Sequence, residues 1–282
     1  MAELTVDRLC VNLGGRQVVR EASWGLRAGE LVALLGANGA GKTTVLRAVL
    51  GLTPRAAGEV RVGEVDPMRM SPSARARCIA YLPQVRPLAW PVRVRDVVAL
   101  GRFAYGATPD RLGAADESAI ARAVRACDLE QFVERSCTTL SGGELARVHV
   151  ARALAADAPF LLADEPTAAL DPLHQHQVMQ LLRTGADAGR GVLVVMHDAA
   201  LAARIADRLL WMADGRIVAD GAPEATLTPA RLAEVYGVHS VVRRVDRDWL
   251  ISVTGAAAGP QTVSDVARQV GTRRAFPSPR TP

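Results

Sequence analysis

Apolar and polar positions alternate over residues 3–26 on either side of Gly14-Gly15, the period-two pattern of a small antiparallel hairpin. The run Glu30-Leu-Val-Ala-Leu-Leu is apolar after its first residue, as a strand covered on both faces requires. It leads through a glycine-rich turn into an amphipathic helix from Lys42 to Leu50, and residues 58–65 and 78–82 read as further strands. From about Val94 to Leu140 the period becomes helical, with Val97, Val98 and Leu100 and then Ile120, Val124 and Leu129 as core positions. After Ser141 the chain alternates again: a helix (142–156), the strand Pro159–Ala163, a helix (173–188), the strand Val192–Met196, a helix (199–206) and two strands (208–213 and 216–220). This order predicts an α/β fold with a mostly parallel core sheet covered on both faces, a small antiparallel β subdomain and an inserted α-helical subdomain at about residues 85–155. Residues 241–255 are expected to form a terminal hairpin. From 256 to 282 the chain is rich in Ala, Gly, Pro, Arg, Ser and Thr without periodicity, and a flexible tail is expected.

Composition narrows the function classes. Hydrophobic residues make up 49% of the 282 and aromatics only 4%, so the chain can build a core but has little with which to stack nucleic-acid bases. The four cysteines (Cys10, Cys78, Cys127 and Cys137) form no Cys-x-x-Cys pair, and no apolar run approaches the roughly 18 residues of a membrane span. The reading is a soluble chain of a reducing compartment. The net charge of +5 is mild, but its make-up is not: of 34 basic residues a single one, Lys42, is lysine. Arginine cannot replace an ammonium in a tight site, so position 42 stands out.

That lysine lies in Gly36-Ala37-Asn38-Gly39-Ala40-Gly41-Lys42-Thr43, a complete G-x-x-x-x-G-K-[ST] between a strand and a helix, with Thr44 beside it. Backbone N–H groups of such a loop face a phosphate, and the helix N-terminus adds positive potential. Lys42 is expected to reach the β- and γ-phosphates of a nucleotide and Thr43 to hold Mg²⁺. The strand Phe160-Leu-Leu-Ala ends in Asp164-Glu165, at the sheet edge where ligands bind. Asp164 is the expected second Mg²⁺ group, and Glu165 the general base for the attacking water.

Leu140-Ser141-Gly142-Gly143-Glu144 resembles the signature motif of ATP-binding cassette (ABC) proteins. Around it, Tyr81-Leu-Pro-Gln84 resembles the Q-loop, Ala169-Leu-Asp171 the D-loop, and His197 the switch histidine after a strand, so the resemblance spans roughly residues 3–237. It implies a P-loop cassette of about residues 1–240 that hydrolyses ATP. The signature of a second, antiparallel cassette would close each ATP from the far side through Ser141 and the first N–H groups near Gly142 and Gly143. It further implies a γ-phosphate contact for His197, a link between the two sites through Asp171, and Mg²⁺ sensing by Gln84. Where many cassettes stack an aromatic side chain on adenine, this chain carries Leu13. The other histidines (149, 174, 176 and 239) read as ordinary core or surface residues.

Two stretches are similar to one branch of the family: the run after Gln84, Leu88–Arg102 with Trp90, and Thr228-Pro-Ala-Arg-Leu-Ala-Glu-Val-Tyr-Gly-Val238. They look like ATPases of bacterial importers for iron–siderophore complexes, haem or cobalamin. The implied partners are a second ATPase subunit, two integral-membrane permease subunits and, indirectly, an extracytoplasmic substrate-binding protein, with no nucleic acid. The implied location is the cytoplasmic face of the bacterial inner membrane. The alternatives are a soluble ABC ATPase such as the iron–sulfur assembly type, or the ATPase of an exporter.

Overall fold

The computed structural model describes residues 3–84, 91–246 and 248–257. Along the chain, β1 (Glu3–Leu13), β2 (Arg16–Arg27), β3 (Leu31–Gly36) and α1 (Lys42–Val49) precede β4 (Ala57–Val62), α2 (Pro72–Cys78) and β5 (Ile79–Leu82). The helical insertion holds α3 (Val94–Ala99), α4 (Ala114–Ala126) and α5 (Gly142–Ala155). The chain then runs through β6 (Phe160–Asp164), α6 (Pro172–Asp187), β7 (Gly191–Met196), α7 (Ala199–Ile205), β8 (Arg208–Ala213) and β9 (Arg216–Gly221). It ends with α8 (Pro223–Thr226), α9 (Pro229–Tyr236) and the hairpin β10 (Val238–Val245) and β11 (Asp248–Ala256).

The central sheet has the order β5-β6-β7-β3-β8-β9, parallel except for β9. Every residue of β3, β6 and β7 is buried. The reason is visible in the two-residue period of β3. Leu31, Ala33 and Leu35 join a core shared with the helical insertion and α6, α7 and α9, while Val32 and Leu34 join a second core beneath α1 and the sheet β2-β1-β4. A strand sandwiched this way must be apolar throughout, which is why its sequence shows no alternation.

Two differences from the sequence pattern have local causes. The segment before β5 forms α2, which no hydrophobic period announced. It buries no residue and exists by virtue of its ends: Ser71 Oγ accepts from Ala74 N at 3.2 Å, and Pro72 opens the first turn. The strand expected over 58–65 stops at Val62, because Gly63 turns with φ +58° and Val62 and Val65 pair across it. The terminal hairpin pairs Val242 with Ile251 and packs Val242, Trp249 and Ile251 against the larger core. From residue 258 onward the expected tail lies outside the described residues, as does Trp90.

The insertion is pinned by one buried cation. Arg102 donates from Nε to Asp116 Oδ1 (2.9 Å), at the start of α4, and from Nη1 to the Ala155 carbonyl (3.1 Å) ending α5. Its guanidinium also lies 3.7 Å from the centre of the Tyr105 ring. Arg102→Ala removes all three contacts and leaves Asp116 without its cation. A loss of about 2 kcal/mol in urea unfolding is expected, below the range for a fully buried pair because Asp116 keeps some solvent. A change under about 0.5 kcal/mol would contradict this role.

Candidate nucleotide site

Four functional segments leave the carboxyl edge of the central sheet side by side: the loop after β3, Asp164 and Glu165 at the end of β6, His197 just after β7, and Gln84 just after β5. The loop from Gly36 to Gly41 enters α1 with Gly41 at φ +103°. A Cβ there would lie 2.9 Å from Met212 Cε and 3.0 Å from the Val18 carbonyl, so both conformation and packing demand glycine. No N-cap side chain caps α1, nor α3, α4 or α8, whereas N-cap side chains cap α2, α5, α6, α7 and α9. The first-turn N–H groups of α1 are therefore left facing an adjoining cleft of about 220 Å³ lined by Val18, Asn38, Gly39, Lys42, Thr43 and Glu165.

Lys42 is 5% exposed and donates to the carbonyls of Gly36 (2.7 Å) and Ala37 (3.0 Å), so its ammonium bridges the loop. Burial pulls its pKa down, opposed by the carboxylates of Glu165 and Asp164. Asp164 is 1% exposed, accepts from Thr43 Oγ1 at 3.1 Å and from the Tyr81 hydroxyl at 3.4 Å, and is pushed above the ordinary carboxylate range by burial and then by Glu165. Tyr81 in turn is pushed up to about 12, first by burial and then by Asp164. A half-buried hydroxyl beside a buried carboxylate fits a small hard cation such as Mg²⁺, which uses one or two protein oxygens with phosphate and water. Three-residue clusters of metal-ligating type are absent among the described residues, which such a site does not need.

Glu165 sits at φ +44°, in the left-handed region that non-glycine residues avoid. Its carboxylate is held on both oxygens: Gln84 Nε2 donates to Oε2 and His197 Nε2 meets Oε1, each at 2.6 Å. An ionised carboxylate assigns the proton of that second contact to His197 Nε2. Gln84 thus reaches Glu165, while Thr43 and Asp164 bring two oxygens together.

The signature and D-loop residues form a second cluster. Ser141 Oγ accepts from Glu144 N (3.3 Å) and Glu144 Oε2 from Ser141 N (2.8 Å), a capping box at the head of α5 that holds the Glu144 carboxyl below its usual range. The N–H groups of Gly142 and Gly143, in the first turn of α5, have no acceptor within the helix. Asp171 caps α6, accepting from His174 N at 3.0 Å. None of Ser141–Glu144 or Asp171 lines the Lys42 cleft. Leu13, 44% exposed, does not line it either; Val18 of the same hairpin does, an apolar neighbour that a motif search for an aromatic passes over.

The family model of ABC transporters matches residues 19–168. The hemin import ATP-binding protein HmuV of Nocardia farcinica is 44% identical over 233 residues, 83% of this chain and 80% of that protein. The Streptomyces coelicolor protein of the same name is 46% identical (81% of each), and that of Pseudomonas putida 41% identical (85% and 94%). Among solved structures, an ABC transporter ATP-binding subunit aligns with TM-score 0.69 at 26% identity over 79% of this chain and 91% of its own. A metal-chelate type ABC transporter in an inward-facing conformation aligns with TM-score 0.76 over 90% and 98%, at 24% identity, a likeness of fold.

Lys42→Ala is expected to abolish nucleotide binding in calorimetry. Lys42→Arg is expected to do the same, because the two carbonyls grip an ammonium where a guanidinium does not fit. Wild-type affinity in either variant would overturn the assignment.

Proposed function

The chain belongs to the ABC transporter family of ATP-binding proteins, and on that footing we propose that it is the ATPase subunit of a bacterial importer whose cargo is haem. The chain is a nucleotide-binding ATPase; the cargo reading rests on the relatives named for hemin import, which match it along most of both chains. In the proposed assembly, two copies lie head to tail beneath two membrane permease subunits at the cytoplasmic face of the membrane, with an extracytoplasmic binding protein delivering cargo.

The observation that carries the head-to-tail reading is the division of the machinery. Lys42, Thr43, Asp164, Glu165, Gln84 and His197 converge within one chain, while Ser141, Gly142, Gly143 and Asp171 stand apart from the cleft. A γ-phosphate on Lys42 then lacks a clamp on its outer side among the described residues. The first-turn N–H groups of α5 on a second copy have the chemistry to supply it.

Within that sandwich, Lys42 and the α1 N-terminus bind the phosphates. Thr43 and Asp164 would hold Mg²⁺, which neutralises phosphate charge when bound. Glu165 accepts the proton of the water attacking the γ-phosphate, with His197 and Gln84 holding its two oxygens in place. Because Gln84 leads into the insertion, displacing it on nucleotide binding is a direct route from the cleft to the permease side. That side offers an apolar cleft of about 470 Å³ between α2 and the insertion, lined by Leu50, Leu52, Tyr81, Leu100, Phe103 and Arg152. Phe103 is 68% exposed there and suits a short permease helix.

Two measurements test the proposal. Glu165→Gln is expected to lower turnover by at least 10²-fold yet elute as a dimer when ATP is present; a monomer at all ATP concentrations would sink the sandwich. In a deletion strain, wild type but not Glu165→Gln is expected to restore uptake of labelled haem. Uptake restored only for ferric siderophore or cobalamin would reassign the cargo, and no change in any of the three would remove the importer role.

A further inference from the structure

His174 lies on the first turn of α6, where its sequence context marks it as an unremarkable helix residue. The structure puts its ring on the backbone of the signature helix. A Cβ built on Gly143 would lie 1.8 Å from His174 Cδ2 and 2.3 Å from both Cγ and Nε2. The same ring meets Asp171 Oδ2 through Nδ1 at 2.7 Å, while the His174 backbone N–H donates to Asp171 Oδ1 at 3.0 Å. One imidazole therefore touches both segments that stand apart from the Lys42 cleft: the head of α5 and the aspartate that caps α6. By contrast, a Cβ on neighbouring Gly142 meets nothing within 4 Å. The missing side chain at 143 thus has an internal cause, which close approach to an anion does not require.

We propose that His174 is a positioning residue that locks Gly143 and Asp171 into one rigid unit, so that a cassette presents its signature N–H groups and its D-loop carboxylate to a second copy at a fixed mutual spacing. The lock rests on the head-to-tail reading above and adds its internal support. An ionised Asp171 makes Nδ1 the donor, and the flat ring fills the space that any side chain at 143 would claim. Without the ring, the first turn of α5 and the Asp171 carboxylate lose the one side chain that touches both. The two segments would then have to be ordered separately when two copies meet, which costs affinity. The nucleotide cleft of the single chain contains none of these atoms and is untouched.

The test uses the full chain in the Glu165→Gln background, with ATP-dependent dimerisation read by sedimentation and monomer affinity read with a fluorescent ATP analogue. His174→Ala is expected to weaken dimerisation about 10-fold or more while leaving analogue affinity within twofold and the melting temperature close to the parent's. Gly143→Ala is expected to weaken it more than His174→Ala does, through the clash with the ring. The double variant Gly143→Ala/His174→Ala is then expected to recover to the level of His174→Ala alone. Parental dimerisation by His174→Ala would overturn the lock, as would a double variant no better than Gly143→Ala, which would mean that the glycine serves the nucleotide directly. A parent that forms no dimer with ATP would overturn the head-to-tail reading and the lock with it, and is told apart because it fails before any change at 174.

Discussion

Everything at the carboxyl edge of the sheet follows from leaving the head of α1 uncapped. The N–H groups at the head of α1 have no side-chain acceptor, and an unpaired donor away from water is costly. The fold accepts that cost beside a buried ammonium, in a loop whose Gly41 admits no Cβ. An anion is the natural complement. β3, β7 beside it and β6 beyond are buried through both faces, so they give this loop a stiff support and leave the chemistry to the strand ends.

The acidic side of the site obeys the opposite logic. Asp164 is buried next to Glu165, and both burial and repulsion disfavour its charge. Thr43 and Tyr81 relieve it only in part. Glu165 is instead held by two side-chain partners, Gln84 and His197, which come from opposite sides of β6 in the sheet order. A carboxylate held from two strands is sensitive to any relative motion of those strands. That geometry ties the Glu165 carboxylate to Gln84, at the edge of the helical insertion.

What could be read from residues alone was what is local or periodic. The strand run ending at Leu35, the Gly36–Thr43 loop and the acidic pair after Ala163 each carry their own signature, because neighbouring residues perform one task together. The α/β class follows from the same periodicity. By contrast, α2 is held by a cap and a proline and has no buried face, so a search for apolar spacing passes through it. His174 was equally hidden: its partner Gly143 is distant in sequence, and nothing about a histidine near a helix start announces that its ring will rest on another helix. Close approach of two backbones is written in the glycine, but the glycine does not name its neighbour.

The solitary lysine has one more consequence. Since every other basic side chain is arginine, the chain carries only one primary amine besides its own N-terminus, and that amine is 5% exposed beneath the phosphate loop. Amine-directed chemistry, whether acylation, crosslinking or conjugation of a degradation tag, finds no lysine on the outer surface. Such a reagent reports on the loop itself: a side chain that reacts has opened, and one protected by nucleotide has been occupied.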